Sequence, residues 1–141
     1  MPAEAVLHES LMQDADENGR RAALSGDVID PKIMHAVVGG DSLLIRELAL
    51  EFLPGARNGI EEIGRAVENG LAECVRSASH SLKGSCALVG ARHLIAICSS
   101  LEAAARAGDW QLIRELVSQL DPRMREVEIA TEAFLRQIEA G

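Results

Sequence analysis

Apolar residues along this chain recur three and four positions apart, the spacing of one helix face, and no segment alternates for long as a strand requires. Asp30-Pro31 reads as a cap followed by proline at the first helical position, and Gly39-Gly40 closes the short helix after it. Asp41-Ser42 opens a longer helix with Ile45, Leu48 and Phe52 on one face, resumed by Ile60, Ile63 and Val67. Pro54-Gly55 predicts a kink or brief break inside it, and Asn69-Gly70 its end. Leu71, Val75, Ala78, Leu82 and Val89 form the next stripe, ended by Gly90. Leu94, Ile97, Cys98, Leu101 and Ala105 line the helix that stops at Gly108. Asp109 caps the last helix, whose face runs through Ile113, Val117, Leu120, Met124, Val127, Thr131, Phe134 and Ile138, with Pro122 predicting a bend near Leu120. The expected fold is all-α: an antiparallel up-down four-helix bundle with a short additional N-terminal helix, over residues 30–141.

Residues 1–29 read differently. Val6, Leu7 and Leu11 suit a short helix, but Asp14 to Gly26 is charged, small and punctuated by glycine, as in a linker or a loosely attached arm.

Composition narrows the function. Aromatics make up only 2% of 141 residues, so Leu, Ile, Val and Ala must build the core. The most continuous apolar run, around Ile95, is about eight residues, far short of the ~20 that span a bilayer. No basic segment with a small-residue cleavage site suggests export, so a soluble cytoplasmic protein is expected, with no membrane contact. A net charge of −8 without a Lys/Arg cluster argues against nucleic acid. Cys74, Cys86 and Cys98 match no common zinc spacing, and reduced cysteines in helices usually serve as small buried hydrophobes, which suits a reducing compartment. No metal site is expected.

On a wheel of ~100° per residue, His80 falls opposite the centre of the stripe from Leu71 to Val89. Glu73, Arg76, Lys83, Gly84 and Ala87 surround it on the exposed face. Lys83, at i+3, can set an ammonium beside an anion on the imidazole. Gly84, at i+4, costs an exposed helix roughly 1 kcal/mol relative to alanine, a cost that close approach of another protein would offset. A neutral imidazole is a competent nucleophile toward an acyl phosphate, and a neighbouring lysine can stabilise the migrating charge. No phosphate-binding glycine loop accompanies it, which disfavours a nucleotide-using enzyme. An H-x-x-K pair alone is also compatible with a solvated histidine. His8, His35 and His93 have no comparable surroundings.

The longer string SHSLKGSCALVGARHLIAICSSLE, Ser79 to Glu102, resembles the signature of histidine phosphotransfer domains, H-x-L-K-G-[SA] followed by a glycine-alanine turn, a leucine, a cysteine and a Leu-Glu pair. His80, Leu82, Lys83, Gly84, Ser85, Gly90, Ala91, Leu94, Cys98, Leu101 and Glu102 fall where that pattern wants them, and the likeness extends over about three quarters of the chain. The resemblance implies a phosphocarrier rather than a true enzyme. His80 would take a phosphoryl group from a receiver-domain aspartate and pass it to another, the receiver supplying Mg²⁺ and this chain no cofactor. It implies that Lys83 assists, that Gly84 permits docking and that Glu102 can orient the imidazole; Arg76 and Ala87, on the same exposed face of the wheel, are the further residues expected to meet the partner. The hairpin at Gly90 puts His80 and Glu102 at nearly the same level, but the wheel sets His80 far from the helix contact. A direct bond and a solvated carboxylate therefore both stay open. Expected partners are response-regulator receivers, or a hybrid sensor kinase from which the domain derives. Two alternatives are a docking module that restrains a partner, and the phosphoacceptor domain of a chemotaxis-type kinase.

Overall fold

A computed structural model describes residues 28–140, and among these every regular element is a helix. There are six: α1 (Pro31–Val38), α2 (Ser42–Glu68), α3 (Ala72–Val89), α4 (Arg92–Ala107), α5 (Trp110–Val117) and α6 (Leu120–Ala140). The suggestion of a helix near Val6 lies outside the described residues.

Local chemistry sets the boundaries. The Asp30 side chain accepts from the Lys32 amide at 3.0 Å, Pro31 begins α1, and Gly39 ends it in a left-handed conformation. Asp41 Oδ1 accepts from the amides of Leu43 and Leu44, and Asp109 Oδ1 from that of Leu112, relieving orphan donors at the starts of α2 and α5. Gly90 does two jobs at the α3–α4 turn. Its φ of +67° excludes most side chains, and a Cβ there would lie 2.6 Å from that of Asp30. The Asp30 amide donates to the Val89 carbonyl at 2.9 Å, tying the segment before α1 to the end of α3. Val28 and Ile29, which the sequence placed in the arm, are buried in the core.

α3 packs most extensively against α4 and next against α2, so two helices flank the one that carries His80. Gly59 of α2 lets that helix approach Leu82, whose Cδ1 stands 3.3 Å from where a Cβ would be. The core is aliphatic: Met34, Ile45, Ile63, Val75, Leu94, Leu101, Ile113, Leu120, Met124 and Val127 are almost wholly buried. Thr131, the polar member of the last stripe, is buried too.

Four expectations are corrected. α2 runs through Pro54 without a break; Pro54 is exposed, so water can satisfy the carbonyl it orphans. The last helix does not bend but divides at Ser118-Gln119, leaving Pro122 in the first turn of α6, where its missing N–H breaks no bond. Leu71 precedes α3 and is half exposed, and Ser79 and Cys86 take its place in the buried stripe with Val75, Leu82 and Val89. The core face is thereby rotated by roughly 30° on a wheel of ~100° per residue. Cys74 is exposed, unlike Cys86 and Cys98, because that rotation carries it off the contact face.

Candidate functional site

The rotation of α3 matters to the site. Burying Ser79 brings its neighbour His80 toward α4 without covering it, and the His80 side chain remains 66% exposed. Its Nδ1 faces Glu102 of α4, 3.4 Å from the carboxylate oxygens. Glu102 is the buried member: its side chain is only 7% exposed. The direct contact left open by the sequence is present, and the carboxylate is not a solvated one.

Lys83, one turn beyond His80, also leans onto Glu102, with Nζ 2.7 Å from Oε1. Oε1 is otherwise buried and accepts no hydrogen bond of good geometry, so the ammonium charge is what holds it. Arg106, one turn past Glu102 on α4, brings Nη2 to 3.9 Å from Oε2. One carboxylate thus gathers three positively charged or proton-donating side chains from two helices. Its pKa is held below the ordinary 4.5, first by the Lys83 ammonium beside it, against the opposing effect of burial, with His80 adding to the lowering. The carboxylate stays ionised near neutrality.

That ionised acceptor defines the imidazole. A carboxylate 3.4 Å from Nδ1 favours the tautomer with the proton on Nδ1, leaving a lone pair on Nε2 at the exposed edge of the ring. Around that edge the surface is open: Gly84 is exposed, with nothing within 4 Å of where a Cβ would stand, and Ala87 is exposed as well. Ala87 also forms part of an open groove of about 740 Å³ with Ile29, Ile33, Gly90, Arg92 and Ile95. Arg76, on the same helix, is held by Glu73, with Nε 3.0 Å from both carboxylate oxygens.

Sequence reading singled out His80, Lys83, Gly84, Ala87, Arg76 and Glu102, and the structure brings the first two together at the last. It missed Arg106, whose position four residues after Glu102 on one helix was the available signal. It also missed the Lys83–Glu102 ion pair. Cys86 and Cys98 are pushed up to about 12, chiefly by burial, which makes them unreactive packing groups. Among the described residues no cluster of His, Cys, Asp and Glu is grouped to hold a metal, and no helix is long and apolar enough to cross a membrane.

A family model described as the Hpt domain matches residues 47–138. Among solved structures, the chain is similar to the crystal structure of histidine-containing phosphotransfer protein B from Pseudomonas aeruginosa PAO1. The TM-score is 0.70 at 24% identity, covering 83% of this chain and 99% of that one, a likeness of fold. No curated protein matches significantly.

Proposed function

The chain belongs to the Hpt domain family, and from that premise we propose that His80 carries a phosphoryl group between receiver domains of a phosphorelay. The observation that carries this reading is one histidine presented 66% exposed while its inner nitrogen rests against a buried carboxylate.

The Nε2 lone pair attacks phosphorus of a receiver's aspartyl phosphate; the N–P bond forms, the acyl O–P bond breaks, and the electron pair leaves on the aspartate carboxylate. Nδ1 keeps its proton, so the ring becomes cationic as the N–P bond forms. Glu102 is already in place to stabilise that charge. Lys83 turns from Glu102 to the phosphoryl oxygens, and the reverse step hands the group to a second receiver. Mg²⁺ belongs to the receiver, and this chain adds no cofactor. Gly84, Ala87 and Arg76 form the surface on which the receiver lies.

The short turns at Gly70 and Gly90 and the packing of α3 on both α2 and α4 support an antiparallel up-down arrangement of α2, α3, α4 and α6. Two buried free thiols suit a cytoplasmic setting, whether the domain acts alone or within a hybrid kinase.

Incubation with phosphorylated receivers tests the reading. Label should appear on this chain, acid-labile and alkali-stable, and vanish in His80→Gln while the melting curve shifts by no more than about 0.5 kcal/mol. Label that persists on that variant would sink it, and complex formation without transfer would favour a docking module.

A further inference from the structure

Arg106 has no part in the steps just described, yet it stands at the site. Its side chain is 64% exposed, its Nη2 is 3.9 Å from Glu102 Oε2, and it shares a helix with that carboxylate. We propose that Arg106 is a positioning residue that takes over the Glu102 carboxylate when Lys83 turns to the phosphoryl group. The inference rests on the phosphocarrier reading.

Lys83 has a single ammonium, and at 2.7 Å it is committed to Oε1. The group on Nε2 lies across the ring from Nδ1, the atom that faces Glu102. One ammonium cannot remain on the carboxylate and serve oxygens there. When it leaves, Glu102 is 7% exposed, too little for water to replace the lost cation. A buried carboxylate short of partners is expensive, and a proton taken up by it would remove the anion that the cationic ring needs.

Two other cations belong to the surroundings. Arg76 feels the Glu102 charge but is fastened to Glu73 through Nε at 3.0 Å to both oxygens. Arg106 is exposed and long, and a small rotation closes its 3.9 Å separation. Its planar fork can span two carboxylate oxygens as a lysine cannot, although a lysine supplies the same charge. No bond is made or broken by Arg106. It preserves the ionised Glu102 through a step in which Lys83 is occupied elsewhere.

Rapid-mixing transfer from a phosphorylated receiver, measured over a range of receiver concentrations, tests this. Arg106→Gln should lower the maximal transfer rate roughly two- to fivefold, the range of one partly exposed ion pair, with the half-saturating concentration unchanged. Arg106→Lys should restore most of the rate, and the melting temperature should not move. In the Glu102→Gln background, adding Arg106→Gln should cause no further loss, because the carboxylate it acts through is gone. A loss that persists in that background would mean that Arg106 touches the phosphoryl group or the receiver directly, and would overturn the proposal. A raised half-saturating concentration at unchanged maximal rate, or no loss at all, would overturn it too. Wild-type chain that takes up no label would overturn the phosphocarrier reading and this inference together; transfer by wild type with an unaffected Arg106→Gln overturns the inference alone.

Discussion

Across α2 and α6 one cation serves two carboxylates: Arg57 reaches Glu128 at 2.7 Å and Asp121 at 2.8 Å, with Nε adding a second bond to Glu128. Across α3 and α4 the ratio is inverted, and one carboxylate, Glu102, serves Lys83, His80 and Arg106. The first cluster is saturated. Its guanidinium lies fork-to-fork on Glu128, which chiefly raises the Arg57 pKa, and an incoming anion would meet two carboxylates. The second has cations to spare in a chain whose net charge is −8, so an added phosphoryl group finds partners there. The difference separates an ion cluster that fastens helices from one that can exchange partners.

Substituting the lysine and the arginine should break the two clusters in opposite ways. Lys83→Ala removes a donor to the migrating group and should slow transfer roughly ten- to a hundredfold. It also leaves buried Glu102 without its nearest cation, so a stability loss of about 1 kcal/mol should accompany the kinetic one. Arg57→Ala should lower stability by roughly 1–2 kcal/mol in denaturant melts, a figure reduced for its partial exposure, while transfer stays within about twofold. A slow but fully stable Arg57→Ala would reverse the comparison.

The Arg57 cluster was not legible in the sequence, and the Glu102 site was legible in part. Periodicity along α3 sufficed to turn His80 outward and Leu82 inward, because a single helix fixes the angles between its own residues. It did not fix how far that helix rolls against its neighbours. Ser79 and Cys86 are buried and Leu71 exposed because α2 and α4 clasp α3 from both sides, and that roll is what carries His80 to Glu102. The division of the last helix at Ser118-Gln119 was half visible: Pro122 marked the place, but a bend and a break have the same local sequence. Lys83 was recognised as a cation beside an expected anion. Its resting partner, on another helix, lay beyond what spacing within one helix can show.

Smaller effects sharpen the comparison. The pKa of Glu102 is lowered in the folded protein, so its cluster contributes stability that is present above the ordinary value of 4.5 and lost as pH falls through the lowered one. Melting curves taken through that acidic window should therefore be flatter in Glu102→Gln than in the wild type; parallel curves would mean that the carboxylate is not held ionised. Smallest in stability is Gly84→Gln. With open space at its Cβ position, that change should stabilise α3 by a few tenths of a kcal/mol. Transfer from a receiver should nevertheless fall strongly, and phosphorylation by a small donor such as phosphoramidate much less. Equal losses with both donors would move the role of Gly84 from docking to the imidazole itself.

Transfer in either direction depends on one ring nitrogen of His80. Nitrogen-15 spectroscopy of the imidazoles in the phosphorylated protein observes it directly. The prediction is a phosphoryl group on Nε2 of His80 with the proton retained on Nδ1 facing Glu102. A phosphoryl group on Nδ1 or on another histidine would contradict it.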